Sequence, residues 1–117
     1  MEALFVILNH PSHMDRLLID LRDKGITAGT ILESQGLAAT LAESSHDIGL
    51  GYLRMIMNEG RPYNKTLFFV LPSEHIEIVK ESVRAVTGGL HHENSGLMFT
   101  MPVSSVEGLG QNSLGEK

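Results

Sequence analysis

Three segments of the chain, Leu4–Leu8, Thr66–Leu71 and Leu97–Val103, are apolar almost without interruption. Such short apolar runs are typical of β-strands, and consecutive apolar positions place side chains on both faces of a sheet. A chain of 117 residues makes one domain of two packed layers, so its own helices can cover only one face. Each apolar side chain left exposed to water loses roughly 1.5–3 kcal/mol of favourable burial free energy. We therefore expect further copies of the chain to cover the other face.

The amino-acid composition of the chain limits the kinds of partner that it is expected to bind. The chain has 9 Lys and Arg against 14 Asp and Glu, a formal charge of -5, and no basic run. This balance argues against nucleic acid as a partner. No apolar stretch reaches the roughly 20 residues that span a bilayer, the chain starts directly with a strand, and cysteine is absent. We expect a cytoplasmic protein that does not insert into membranes.

Two segments have the apolar periodicity of amphipathic helices. The first is preceded by Ser12, which with Asp15 has the spacing of a capping box, and it ends near Gly25. The second begins at Pro72 and ends at Gly88-Gly89. The apolar stripes are Met14, Leu17, Leu18 and Leu21 in the first helix, and Ile76, Val79, Val83 and Val86 in the second.

The predicted order is strand, helix, strand, long connection, strand, helix, strand. This order matches an α+β ferredoxin-like βαββαβ sandwich, with an antiparallel sheet and both helices on one face. We predict the domain over residues 1–109, with strand two near Ala28–Gln35, strand four at Gly96–Pro102 and a flexible tail at 110–117. Residues 37–64 form an insertion of about 28 residues where a hairpin needs only about two to five, so we expect function there.

The segments Gly25–Thr30, Glu33–Gly36 and Gly96–Val103 resemble the nitrogen regulatory protein PII family. The resemblance implies a homotrimer and a non-enzymatic role in signal transduction and enzyme regulation. It also implies that a small effector, an adenine nucleotide, binds between subunits and that residues 37–64 control a protein target. The residues of this chain that we assign to the ligand are Gly29, Thr30, Gly36, Leu37, Arg61, Lys65, Gly88, Gly89 and Asn94.

The chain departs from this family at two basic positions. The family's nucleotide site uses a glycine-rich loop with a lysine after helix two, and two arginines after the last strand. Here the corresponding segments, Gly88–Gly96 and Val103–Glu107, contain neither lysine nor arginine. Backbone amides can still hold an anion, but these positions supply no charge-assisted hydrogen bonds to a triphosphate.

Other interpretations of the same residues stay open. His91 and His92 can ligate a divalent metal, as in a trimer like the CutA proteins, or can be solvated turn residues. Arg61, Tyr63 and Lys65 can form an anion and ring-stacking site or anchor the insertion. A small ferredoxin-like enzyme such as an acylphosphatase is disfavoured, because Asn9–Ser12 lacks the arginine that its substrate requires. We assign no catalytic residue.

Overall fold

The computed structural model describes residues 1–37, 41, 63–91 and 95–108, which form four strands and two helices. The strands are β1 (Glu2–Leu8), β2 (Thr30–Gln35), β3 (Tyr63–Leu71) and β4 (Gly96–Pro102). They form one antiparallel sheet in the order β2-β3-β1-β4. The expected α+β class and the bounds of strand four are confirmed, and the arrangement is compatible with a ferredoxin-like sandwich. Strand two begins two residues later than predicted.

The hydrophobic core lies between one face of the sheet and the two helices, α1 (Pro11–Asp23) and α2 (Ser73–Thr87). Alternation along β1 puts Leu4, Val6 and Leu8 on this covered face, at most 2% exposed. Both helices pack mainly on the central strands β1 and β3. The predicted stripes are confirmed, and the helix residues in the core are Met14, Leu17, Leu21, Ile76, Val79 and Val83.

The predicted start of α1 is wrong. The helix begins at Pro11, its N-cap is His10, and no side chain caps it. Proline at the first helical position fixes φ near the helical value and has no N–H that requires a partner. The helix therefore starts before Ser12. The end of α2 is as predicted, since Gly88 adopts the left-handed conformation with φ 78° and its N–H bonds to the carbonyl of Arg84.

The opposite, open face of the sheet carries a row of three stacked phenylalanines. Phe5 on β1 is in register with Phe68 on β3 and Phe99 on β4, and its ring centroid lies 5.6 Å and 5.1 Å from theirs. Further apolar side chains extend the row on the edge strands, namely Leu32 (47% exposed), Leu97 (54%) and Met101 (46%). The expectation of apolar residues on both sheet faces is therefore confirmed.

A small polar cluster joins the two helices. The Nζ of Lys24 donates to the Oγ of buried Ser82 at 2.6 Å and lies 3.1 Å from the Oδ2 of Asp20. A hydrogen bond from Ser82, and then the ammonium of Lys24, lower the pKa of Asp20 below its usual value of 3.8. The cluster ties the end of α1 to the middle of α2. Within the described part of the chain, no helix is long and apolar enough to cross a membrane.

Candidate functional site

The register of the sheet brings several connections to one end, which we call the loop end. Here β1 finishes at Leu8, β2 finishes at Gln35, β3 begins at Tyr63 and β4 begins at Gly96. The first turn of α1 and the turn after α2 also lie here, because each helix runs antiparallel to the strand next to it in sequence. Of the predicted ligand residues, Gly36, Leu37, Lys65, Gly88 and Gly89 belong to this end.

The turn between α2 and β4 forms an open hollow of about 410 Å³, the glycine-turn hollow. Gly89 has a φ of 106°, a conformation that L side chains rarely adopt. A Cβ at this position would lie 2.7 Å from Cε1 of His91, so the imidazole packs directly over the glycine backbone. The hollow is lined by Arg84, Gly89, Leu90, His91, Gly96, Leu97 and Met98.

Arg84 is the cation that the sequence interpretation missed at this hollow. It lies in the last turn of α2 and is exposed. The sequence search looked for lysine or arginine inside the glycine loop and after the last strand. Arg84 precedes that loop, and the helix brings it to the hollow from the other side. A guanidinium and neighbouring backbone N–H groups can together bind a carboxylate or a phosphate.

A second hollow, the β2-edge groove, lies between the end of α1 and the start of β2 and holds about 220 Å³. The predicted residue Gly29 forms part of it. A Cβ at Gly29 would lie 2.7 Å from a ring carbon of Phe69. Because glycine has no side chain, the backbone just before β2 can lie directly against that ring. The wall is mostly aliphatic and aromatic and is lined by Leu18, Leu21, Arg22, Ile26, Thr27, Gly29, Ile31, Leu67 and Phe69. Such a groove suits a flat apolar group.

A third hollow, the strand-end cavity, holds about 220 Å³ between the loop end of the sheet and the first turns of α1. The predicted residue Lys65 lies on its rim, with Nζ 3.5 Å from Oε2 of Glu33. Leu8 and Met14, each 2% exposed, form its apolar floor. The rest of the lining is Asn9, Pro11, Asp15, Glu33 and Asn64.

A chain of polar side chains holds the rim of the strand-end cavity. The hydroxyl of Ser34 donates to Oδ1 of Asn64 at 2.5 Å and lies 2.8 Å from Oγ1 of Thr66. The amide of Asn64 in turn donates to Oδ1 of Asn9 at 3.1 Å. These bonds connect β1, β2 and β3 at the loop end and hold the rim in place.

The remaining predicted site residues are placed as follows. Thr30 opens β2 and is exposed, and Leu37, just beyond the end of β2, is 76% exposed. Within the part of the chain that the structure describes, a Cβ at Gly36 would meet no atom within 4 Å. Arg61, His92 and Asn94 lie outside the described residues, as do most of the insertion at 37–64 and the tail at 110–117.

The described residues contain no cluster of metal-ligating side chains. Over residues 1–37, 41, 63–91 and 95–108, no group of three or more His, Asp or Glu side chains converges to hold a metal ion. His91 lies over Gly89, and its predicted co-ligand His92 is outside this part of the chain.

Comparison of the sequence with protein-family models and with curated proteins finds no match.

Proposed function

We propose that the protein is a PII-like, non-enzymatic regulator of the nitrogen-regulation type. Three copies assemble, and a small ligand, an adenine nucleotide, binds in the clefts between them. Ligand binding biases the conformation of residues 37–64, and that segment acts on a protein target. The assignment to this family rests on the resemblance of Gly25–Thr30, Glu33–Gly36 and Gly96–Val103.

The observation that carries the proposal is the separation of the predicted ligand residues within one chain. Gly29, Thr30 and Leu37 lie along β2, at one edge of the sheet, whereas Gly88 and Gly89 lie beside β4, at the other edge. Three strand spacings, about 14 Å, separate the edges, and the ends of β3 and β1 lie between them. A ligand that contacts both sets therefore requires the β2 edge of one copy beside the β4 edge of the next.

The chemistry of the two edges is complementary. The β2-edge groove is apolar and has room for a flat ring. The glycine-turn hollow offers the guanidinium of Arg84, the imidazole of His91 and glycine backbone. A nucleotide has this same division between an apolar base and an anionic phosphate end. In this chain Arg84 takes over the cationic role for which the family uses a lysine in the loop.

The open face gives the assembly its driving force. Phe5, Phe68 and Phe99 form a stacked row with exposed aliphatic neighbours. Contacts from a β2 edge to a β4 edge are head-to-tail, and such contacts form a ring of three when the rotation between copies is about 120° and a filament when the rotation does not close. A ring whose open faces turn inward buries the phenylalanine row, at roughly 25 cal/mol for each Å² of apolar surface removed from water.

Subunit complementation tests whether the site lies between copies. Leu37→Glu places a carboxylate at the β2 edge, and Arg84→Glu reverses the charge at the glycine-turn hollow; both positions are exposed. Each variant alone should bind ADP or ATP weakly. When the two are unfolded, mixed in equal amounts and refolded, about one cleft in four should combine two unaltered edges and regain wild-type affinity. A site inside one protomer would regain none.

Native mass spectrometry supplies the second test. Spectra of the wild-type protein with a panel of adenine nucleotides, bicarbonate and divalent metals should show trimers that retain a nucleotide. Monomers under all conditions would overturn the assembly. Trimers that retain a divalent metal and no nucleotide would support the CutA-like alternative instead.

A further inference from the structure

The strand-end cavity has features of a binding site inside a single protomer, away from the paired edges. Its floor is apolar, formed by the side chains of Leu8, Met14 and Pro11, and its rim carries charged groups of both signs. The asparagine bridge from Asn64 to Asn9 fixes one wall. A closed apolar floor with a few convergent polar groups is the usual anatomy of a small-molecule site.

The charges on the rim do not cancel. Lys65 and Glu33 face each other at 3.5 Å, which leaves Asp15 as a carboxylate without an ion-pair partner in the described part of the chain. The side chains of the Lys65 and Glu33 pair are 49% and 73% exposed, so this ion pair is weak and its lysine can turn to another anion. The rim therefore offers one place for a cation and one for an anion.

We propose that the strand-end cavity binds a small aliphatic α-amino acid. The ammonium group of the ligand pairs with Asp15, its carboxylate pairs with Lys65, and its side chain packs on Leu8 and Met14. The volume of about 220 Å³ lies below the roughly 300–1,000 Å³ of pockets for drug-sized ligands. It suits a molecule of the size of leucine.

This site differs in place from the proposed nucleotide clefts, and it uses Lys65, which the sequence assigned to the nucleotide, for another ligand. Its lining residues come from the loop ends of β1, β2 and β3 and from the first turns of α1, so the proposed binding does not use the β4 edge. The nucleotide proposal depends on the opposite edges β2 and β4 meeting between copies. Failure of one proposal therefore leaves the other intact, and the two are measured with different ligands.

A ligand series on the wild-type protein tests the chemistry. Titration followed by NMR chemical shifts of the Met14 methyl group should show saturable binding of L-leucine. Glycine lacks the aliphatic body, 4-methylpentanoate lacks the ammonium group, and isopentylamine lacks the carboxylate. Each should bind at least about tenfold more weakly than L-leucine, because each loses either the apolar contact or one charge-assisted hydrogen bond.

Two matched variants on α1 test the residue assignment. Asp15→Asn should weaken L-leucine binding at least about tenfold while leaving 4-methylpentanoate unchanged, because only leucine has the ammonium group. Asp23→Asn removes the same charge from the same helix, outside the cavity, and should leave both affinities unchanged. Absence of saturable leucine binding to the wild type, or equal effects of the two variants, would overturn the proposal.

Discussion

The two faces of the sheet are similar in composition and different in surroundings. On β1 the covered face carries Leu4, Val6 and Leu8, at most 2% exposed, and the open face carries Ala3, Phe5 and Ile7. Successive residues alternate between faces, so this strand serves two layers at once. Helix packing, and not strand composition, therefore determines which apolar side chains form the core. The other set stays on the open face, where no helix covers it.

The same comparison applies across the sheet, from centre to edge. The helices pack mainly on β1 and β3, so the edge strands remain exposed even on the covered side, where Ile31 is 46% exposed. The β2-edge groove and the glycine-turn hollow both lie at these uncovered edges. Stability is therefore concentrated in the centre of the covered face, and the two hollows lie at its margins, where the end of a helix meets an edge strand.

The largest expected effect comes from one substitution made on each face. Leu4→Ala, on the covered face, should lower the free energy of unfolding by about 2–5 kcal/mol, because it leaves a cavity in the core. Leu97→Ala, on the open face, should lower it by less than about 1 kcal/mol in the monomer, because that side chain is 54% exposed. Urea unfolding at low protein concentration measures both values. Equal losses would contradict the distinction between the faces.

A smaller effect is expected at Gly96, where β4 enters the sheet beside β1. Its φ of 146° suits only glycine, and a Cβ would overlap the carbonyl oxygen of Ile7. Gly96→Ala should lower the free energy of unfolding by about 1–3 kcal/mol through backbone strain.

Gly36 supplies the matched control. Among the described residues, a Cβ at Gly36 would have no atom within 4 Å, so Gly36→Ala should be neutral or should stabilise the protein by about 0.4–1 kcal/mol, through the unfolded chain. Chemical denaturation of both variants measures the difference. A destabilisation by Gly36→Ala as large as that by Gly96→Ala would show that glycine flexibility, and not close backbone contact, matters at β4.

Local periodicity predicted most of the fold. The stripes of α1 and α2 and the apolar strands depend on spacing within one element, and spacing is visible in the sequence. The start of α1 was mispredicted, because Ser12 and Asp15 fit a capping box, while the N-cap is His10 and the helix starts two residues earlier, at Pro11. The capping-box spacing and the proline predict different first residues for the helix. The observed start is the one that the fixed φ of proline favours.

The site was less accessible to sequence reasoning, because it depends on contacts between distant residues. Resemblance predicted Gly29, but its reason, the ring of Phe69 against its Cα, requires the register of β2 on β3. Arg84 was missed because it approaches the glycine turn from the preceding helix. The strand-end cavity combines Asp15 with Lys65, fifty positions apart in the sequence. A basic residue in the last turn of a helix that ends in glycine was the one available signal.

A substitution in the phenylalanine row on the open face can distinguish an effect on the folding of the monomer from an effect on the proposed assembly. Phe99→Ala removes the stack on Phe5, worth about 0.5–1.5 kcal/mol beyond the area lost. In the monomer the total cost should be about 1–3 kcal/mol, because Phe99 is 42% exposed and buries only part of its ring. In the assembly the cost should be larger, and the midpoint of unfolding should depend less on protein concentration than in the wild type. An unchanged concentration dependence would separate the phenylalanine row from assembly.

The smallest expected effect is at the polar cluster of Asp20, Lys24 and Ser82 between the two helices. Hydrogen bonds from Ser82 and Lys24 hold the pKa of Asp20 below 3.8, so the ionised carboxylate stabilises the folded state. This contribution is fully present above pH 3.8 and is lost as the pH falls through the lower native pKa. Asp20→Asn should therefore be less stable than the wild type at pH 7, by less than about 1 kcal/mol because the carboxylate is 37% exposed.

The difference in stability between Asp20→Asn and the wild type should shrink as the pH is lowered below 3.8. Urea unfolding across this range measures it, and added salt should reduce it at pH 7. Asp23→Asn is the control on the same helix, because Asp23 pairs with its chain neighbour Arg22 and not with α2. If the two variants have the same pH dependence, the Asp20 carboxylate adds no stability specific to helix pairing, and the apolar stripes and the hydrogen bond from Arg16 to the carbonyl of Val86 hold the helices together.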